Sequence, residues 1–130
     1  MTHAIINPAG LHDPAGFGYS HLATTENLVF VAGQYASDAR GEVTSTAFAE
    51  QVEQALANLR IALAGAGLDY SHVVQLRTFV VDHDADKLRE LAAQVGRIWG
   101  GQPPTQTLIG VAALALPGML FEVDAVAVRV

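Results

Sequence analysis

Residues 103–130 read PPTQTLIGVAALALPGMLFEVDAVAVRV, and this stretch decides the fold. Two strand-like runs flank a turn at Pro117-Gly118. In a strand, successive side chains point to opposite sides. One side of the second run carries Leu120, Glu122, Asp124, Val126 and Val128. The opposite side carries Phe121, Val123, Ala125, Ala127 and Arg129. Both carboxylates therefore project from the same side of this strand.

The two acids stand among apolar neighbours, where a carboxylate is expensive to bury. Burial without a partner costs several kcal/mol, so each acid should meet a donor, a ligand or water at an interface. We therefore expect the mouth of a cavity near Glu122. The alternative is that Glu122 is only paired with Arg77, Arg129 or a backbone donor.

Composition indicates one domain, residues 1–130, with an unusually apolar surface. Hydrophobic residues make up 51% of the chain and charged residues 15%, whereas soluble domains carry roughly 25% charged residues. An apolar patch is therefore expected to face a partner, and a second copy of the chain is the simplest partner. The alternative is a monomer with few surface charges.

Charge and cysteine content exclude several classes of function. The formal net charge of −6 and the pI near 5.1 disfavour a nucleic-acid partner. The absence of cysteine excludes disulfides, a thiolate nucleophile and cysteine-based metal sites. The N-terminal residues lack the features of a signal peptide, and the apolar run Leu108 to Leu116 is too short to span a bilayer. These features predict a cytoplasmic protein without a membrane partner.

Two helices are predicted from apolar residues spaced three and four apart. The first stripe consists of Phe48, Val52, Ala55, Leu56, Leu59, Leu63 and Ala66. Candidate N-caps for this helix lie in residues 44–46, and Gly65 and Gly67 are candidate stops. The second helix is predicted over Ala85 to Trp99, with Asp82, Asp84 and Asp86 clustered at its start.

Strands are predicted at Tyr19 to Ala23, Leu28 to Ala32 and His72 to Val81, in addition to the two runs of the last quarter. Residues 1–18 are rich in proline and glycine, which favours an irregular arm. With one further strand before the first helix, which these runs do not locate, the order β-β-β-α-β-α-β-β predicts an α+β fold, in which a mixed six-stranded sheet carries both helices on one face. The other face is then free to meet neighbouring subunits.

Other candidate chemistry has simpler explanations in this chain. Asp82-His83-Asp84 suggests a metal site, but helix capping alone accounts for these residues, and we predict no metal and no cofactor. Arg77 lies on a strand and needs either a structural ion pair, which we favour, or a role as a cation in a cleft. Nucleotide-binding and zinc-hydrolase motifs are absent. The five histidines are each expected to be surface or satisfied residues.

Several motifs in a fixed order resemble the RidA/YjgF family of reactive-intermediate deaminases. They are PPTQTLIGVA…LP…FEVDAVAV at the end, Gly18-Tyr19-Ser20 at the entry, residues 29–34 (VFVAGQ) in an early strand, residues 54–67 in the first helix, and residues 72–82 (HVVQLRTFVVD) in the fourth strand. The resemblance implies a chorismate-mutase-like fold and a homotrimer that binds small molecules in clefts between protomers.

The resemblance also implies functional residues. Glu122 matches the family's glutamate that orients the attacking water, Tyr19 matches the entry tyrosine, and Gly33 matches a backbone contact to the ligand. The family's arginine, which grips the carboxylate of a 2-imino acid, is replaced by Gln106, followed by Thr107. A guanidinium offers a fixed fork of donors and a full charge, whereas glutamine offers one neutral amide.

Two hypotheses of function remain. The first is a deaminase-type hydrolase of imines, enamines or related C–N compounds that are uncharged or cationic, because the loss of the arginine argues against 2-imino acids. The second is a non-catalytic ligand-binding or accessory homotrimer. Retention of Glu122 favours the first hypothesis, since a scaffold has no need of this acid.

Overall fold

A computed structural model of the protein describes residues 2–129. The strands are β1 (Ala4–Ile6), β2 (Leu22–Thr24), β3 (Leu28–Tyr35), β4 (Val73–Val81), β5 (Thr105–Val111) and β6 (Phe121–Val128), and the helices are α1 (Phe48–Gly65) and α2 (Ala85–Trp99). Two short 3-10 helices precede β2 and β4. The predicted α+β order is confirmed, and α2 has the bounds that its apolar stripe and its acidic start indicated.

The strands form one six-stranded sheet in the order β1-β2-β3-β6-β4-β5. The β4–β5 pair is parallel and all other pairs are antiparallel, so the sheet is mixed as predicted. The last strand in sequence, β6, lies between β3 and β4 and joins the two halves of the sheet. Neither helix of the described chain is long and apolar enough to cross a membrane.

The alternation predicted for β6 decides which side of the sheet is covered. Side chains on one side of β6 are buried in a single core shared with both helices: Phe121, Val123, Ala125 and Ala127. Those on the other side, including Glu122 and Asp124, are only half-buried. The two acids therefore lie on the open face of the sheet, as the sequence predicted.

Several local predictions are wrong. Strand β2 begins at Leu22 and not at Tyr19. The N-terminal arm is not wholly irregular, because Ala4–Ile6 pairs with β2 as an edge strand. The N-cap of α1 is Ala47, which has no capping side chain, and not one of residues 44–46. Ser45 instead stabilises the turn before the helix, where its Oγ accepts from the backbone N–H of Ala47 and donates to Glu50.

Strand β3 continues past Gly33, where the sequence predicted its end. The register with β6 shifts between Val31 and Gln34, which is the irregularity expected of a β-bulge. The bulge allows the strand to resume pairing at Gln34 and Tyr35. Gly33 therefore lies inside a bent strand, on the wall of the site described below.

Gln51 of α1 is fully buried and connects the helix to the loop that leads into β6. Its amide nitrogen donates to the carbonyls of Ser45 (2.7 Å) and Gly118 (2.8 Å), and its Oε1 accepts from the backbone N–H of Leu120 (2.8 Å). Both amide hydrogens and the amide oxygen of Gln51 thus bond to backbone groups.

We predict that Gln51→Leu destabilises the protein by about 2–4 kcal/mol, because backbone donors and acceptors in a partly buried loop lose their partners. The free energy of unfolding measured with urea is the test. Gln102→Leu is the matched control, because Gln102 is exposed and its replacement should change the free energy by less than about 0.5 kcal/mol. Equal effects of the two changes would contradict this role of Gln51.

Candidate functional site

A cavity of about 320 Å³ opens beside the bulge of β3. It is lined by residues of the N-terminal arm, of β3, of the loop before β6 and of β6 itself: Phe17, Tyr19, Ala32, Gly33, Tyr35, Ala115, Leu116, Met119 and Glu122. The structure thus brings together Tyr19, Gly33 and Glu122, which the sequence proposed as site residues. Most of the other lining side chains are apolar.

The backbone of Gly33 lies directly against the carboxylate of Glu122. A Cβ atom added to Gly33 would come within 2.3 Å of Glu122 Oε2 and 2.6 Å of its carboxyl carbon. Both distances are shorter than any real carbon contact. Glycine is therefore required at position 33 for the glutamate to occupy its present place.

Glu122 is an isolated acid in this apolar cavity. Its carboxylate makes no hydrogen bond to any residue between 2 and 129. Burial raises the pKa of Glu122 above its ordinary value, and the neighbouring Asp124 carboxylate raises it further. Such an acid is available to accept a proton from water or a hydrogen bond from a ligand.

Arg77 forms an ion pair with Asp124 and not with Glu122. Its Nε donates to Oδ1 of Asp124 at 3.0 Å, and its second terminal nitrogen donates to Oδ2 at 2.6 Å. This confirms the structural ion pair that the sequence favoured for Arg77. Arg129, the other proposed partner of Glu122, donates to the carbonyl of Glu26.

Tyr19 is held at the cavity wall by His12, a buried histidine that no sequence pattern singles out. His12 Nε2 lies 2.5 Å from the Tyr19 hydroxyl. Burial, with smaller contributions from Tyr35 and Glu122, raises the pKa of Tyr19 to about 12, so its hydroxyl stays protonated. Burial and the nearby His21 lower the pKa of His12, against weaker opposing effects of Asp13 and Asp38. Both members of the pair are therefore neutral near pH 7.

Gln106 and Thr107 do not line this cavity in the protomer. Both lie on β5, where Gln106 is in register with Leu76 and Thr107 with Arg77. The Oε1 atom of Gln106 accepts a hydrogen bond from the buried Thr78 hydroxyl at 3.0 Å. A contact of these two residues with a ligand beside Glu122 remains a prediction that requires a neighbouring protomer.

Sequence reasoning missed the apolar wall and His12. Phe17 and the loop residues 115–119 have no spacing that distinguishes them from ordinary loop residues. Tyr35 was missed because the strand was expected to end at Gly33; the next pairing positions of a bulged strand were the available signal. His12 lies in the arm, and only its contact with Tyr19 reveals its place.

The Asp82-His83-Asp84 segment is a helix start, as expected. Asp84 is the N-cap of α2 and accepts from the backbone N–H of Lys87 at 2.9 Å. Within residues 2–129, no group of three or more histidine or acidic side chains is arranged to hold a metal ion.

Comparison with known proteins gives consistent matches. The family described as Endoribonuclease L-PSP matches residues 11–129. The chain is 36% identical to Protein DfrA of Myxococcus xanthus over 103 residues, 78% of this chain and 76% of that one. It is 31% identical to the 2-iminobutanoate/2-iminopropanoate deaminase of Rattus norvegicus over 119 residues, 89% and 84% of the two chains. The solved structure of YyfB, a Rid-family protein of unknown function from Yersinia pestis, has a TM-score of 0.75 at 38% identity and covers 99% of this chain and 100% of its own.

We predict that Glu122→Gln stabilises the protein at pH 7. The folded state raises the pKa of Glu122, so ionisation of this acid above that pKa lowers the stability, and the penalty vanishes below the ordinary value of 4.5. After solvent screening, removal of this charge should add less than about 1 kcal/mol of stability, which corresponds to a rise in Tm of at most roughly 4 °C.

The measurement is Tm as a function of pH, and the gain should shrink between pH 7 and pH 4. Glu53→Gln, at an exposed position of α1, is the matched control and should leave Tm nearly unchanged. A gain from Glu122→Gln that is the same at both pH values would show that ionisation is not its cause.

We predict that Gly33→Ala displaces the Glu122 carboxylate without unfolding the protein, because the clash is with the end of a flexible side chain. The carboxylate then moves toward water, and its pKa, followed by carbon-13 NMR, falls back toward the ordinary value. Gly16→Ala is the control, because a Cβ there meets no atom within 4 Å. An unchanged Glu122 titration in Gly33→Ala would refute the contact.

Proposed function

This chain belongs to the Endoribonuclease L-PSP family, the family of RidA and YjgF, and on that premise we propose that it hydrolyses imines, enamines or related C–N compounds that carry no carboxylate. The observation that carries the proposal is the Glu122 carboxylate, which lies without a partner in an apolar cavity against Gly33. The named activity of the rat relative supports hydrolysis of a C=N bond as the reaction class.

The charges around the cavity support a substrate without a carboxylate. Glu122 is the only formally charged side chain among the lining residues. A substrate anion beside it would meet a like charge in a poorly solvated space, which is unfavourable. An uncharged or cationic substrate avoids this repulsion.

The replacement of the family's arginine by Gln106 supports the same conclusion. Loss of a charge-assisted bidentate contact in a shielded cleft weakens anion binding by on the order of 2–5 kcal/mol, a factor of roughly 30 to several thousand. Arg77 does not compensate within the protomer, because its side-chain hydrogen bonds go to Asp124.

The proposed reaction needs one base and one water molecule. Glu122 accepts a proton from the water molecule as the water oxygen forms a bond to the imine carbon. The C=N electron pair moves to nitrogen, and the protonated Glu122 returns its proton to that nitrogen. The C–N bond of the resulting carbinolamine then breaks and leaves a carbonyl compound and ammonia or an amine. The raised pKa of Glu122 brings the base closer to neutral pH and strengthens it.

We further propose that the active form is a homotrimer with clefts between protomers. The open sheet face exposes large apolar side chains, including Phe30, which is 45% exposed and lies opposite Val126 on β6. Burial of such side chains favours association. In that assembly the β5 edge of a neighbour brings Gln106 and Thr107 to the cleft.

The family description mentions RNA cleavage, which the charge of this chain disfavours. The net charge is −6, and the cavity presents a carboxylate to its ligand. A phosphodiester backbone would be repelled by both. We therefore favour small molecules as substrates.

The proposed activity predicts faster hydrolysis of a carboxylate-free imine than of a 2-imino acid. A flavin-dependent amine oxidase generates the first in situ and an amino-acid oxidase generates the second, each with catalase, and semicarbazide reports the lifetime of each imine. Glu122→Gln should lower the rate by about 100-fold or more. Glu53→Gln is the matched control.

Two outcomes of this assay would contradict the proposal. Clearance of the 2-imino acid at the higher rate would show that another cation anchors the carboxylate. Binding of imine analogues without any turnover would establish the alternative, a ligand-binding protein that retains the acid but not the reaction.

We predict a mass of about three times 13.7 kDa in light scattering at micromolar concentration. Phe30→Glu should reduce this mass toward that of a monomer, because it places a charge in the proposed interface. The control is Leu88→Glu, at an exposed position of α2 on the other side of the sheet. A stable monomer in the unmodified protein would exclude clefts formed between protomers.

A further inference from the structure

A series of hydrogen-bonded polar residues leads from the core to the half-buried Tyr19 at the cavity wall. We call it the histidine chain; it consists of Gln34, His21, His12 and Tyr19. Gln34, His21 and His12 are 1%, 0% and 3% exposed, respectively. Buried polar groups need partners, so the hydrogen bonds among them fix where each hydrogen lies.

The first links of the histidine chain determine the state of His21. The amide nitrogen of Gln34 lies 3.1 Å from the Ala32 carbonyl, which can only accept, so the amide orientation is fixed. The same nitrogen lies 3.1 Å from His21 Nδ1, which must therefore accept. His21 Nε2 then carries the hydrogen and donates to the His12 carbonyl at 2.8 Å.

The next link determines the state of His12. Its Nδ1 is buried, and among residues 2–129 it has no hydrogen-bond partner. A hydrogen on Nδ1 would be a buried donor left unpaired, which is rarer in proteins than an unpaired acceptor. The hydrogen is therefore assigned to Nε2, which donates to the Tyr19 oxygen at 2.5 Å.

The groups that surround His12 are consistent with a neutral ring. Tyr19, His21 and Tyr35 pack against it, with ring centroids 4.9–6.1 Å away. The carboxylates of Asp13 and Asp38 favour protonation of His12, but the effect of burial is larger and lowers its pKa.

We infer that His12 is a positioning residue: its Nε2–H occupies the Tyr19 oxygen and leaves the Tyr19 hydroxyl hydrogen to point into the cavity as a donor to the substrate nitrogen. The role in catalysis rests on the function proposed above. Tyr19 is then the donor of the cavity and Glu122 its acceptor. The arrangement selects a neutral imine, whose nitrogen has a free lone pair, over an iminium or ammonium cation.

The first test reads the hydrogen position directly and needs no activity. Nitrogen-15 NMR of the histidine rings at pH 7.5 distinguishes a hydrogen on Nε2 from one on Nδ1, and His12→Gln and His21→Gln assign the signals. From the hydrogen bonds we expect each ring to carry its hydrogen on Nε2. A hydrogen on Nδ1 of His12, or a doubly protonated ring, would overturn the inference.

The second test is a double-mutant cycle between His12→Phe and Tyr19→Phe, with turnover of the carboxylate-free imine as the readout. Each single change should lower kcat by about 10-fold to 100-fold with little change in KM. In the Tyr19→Phe background, His12→Phe should cost less than about twofold, because His12 acts through Tyr19. His12→Gln, which supplies an N–H donor, should restore most of the rate.

Controls separate positioning from folding. Tm identifies variants that have lost stability, and His83→Gln, at an exposed site, is matched to His12→Gln and should change neither kcat nor KM. Additive effects of His12→Phe and Tyr19→Phe, or a loss that Tm alone explains, would show that His12 is merely structural.

Failure of the proposed function can be distinguished from failure of this inference. If the unmodified protein hydrolyses no imine, the same cycle is run on the affinity for isobutyramide, a neutral amide whose oxygen accepts a hydrogen bond. If the losses of affinity in His12→Phe and Tyr19→Phe are coupled, and the hydrogen of His12 lies on Nε2, the positioning role in a binding protein is supported. Uncoupled losses would overturn it whatever the activity.

Discussion

The pairing of β3 with β6 is the interaction on which both the sheet and the cavity depend. It connects β1, β2 and β3 to the half of the sheet that holds β4 and β5. Its one irregularity, between Val31 and Gln34, brings the bare backbone of Gly33 against Glu122. If β3 and β6 paired without this irregularity and a larger residue stood at position 33, the sheet would still form, but Glu122 could not occupy its present position.

Two acids on one face of β6 have opposite environments. One of them has a structural role, and the other is available for chemistry. Asp124 forms a bidentate pair with Arg77 across the strand pair, and such a charge is neutralised where it lies. Glu122, two residues earlier, faces apolar side chains and a glycine. The unpaired acid carries a free-energy penalty that a folded protein can tolerate only because other contacts, such as those of Gln51, exceed it.

The sequence was informative where a local pattern determined the structure. Helix α2 was bounded correctly because its apolar stripe begins after the Asp84 cap, and the alternation of β6 correctly placed Glu122 on the open face. Strand β1 was missed, since three residues hold too little pattern. The placement of His12 beside Tyr19 could not be predicted for a different reason. The arm folds back through contacts with β3, and the spacing of residues within the arm does not indicate such contacts.

The central position of β6 has a consequence for how the chain is made. Synthesis proceeds from the N-terminus, so β3 and β4 emerge before the strand that must lie between them. Until β6 arrives, the inner edges of β3 and β4 present unpaired backbone groups, and such edges are templates for unwanted association. The nascent protein therefore passes through a stage in which the inner edges of β3 and β4 are the surface most prone to association. Rapid pairing of β6 with both strands ends that exposure.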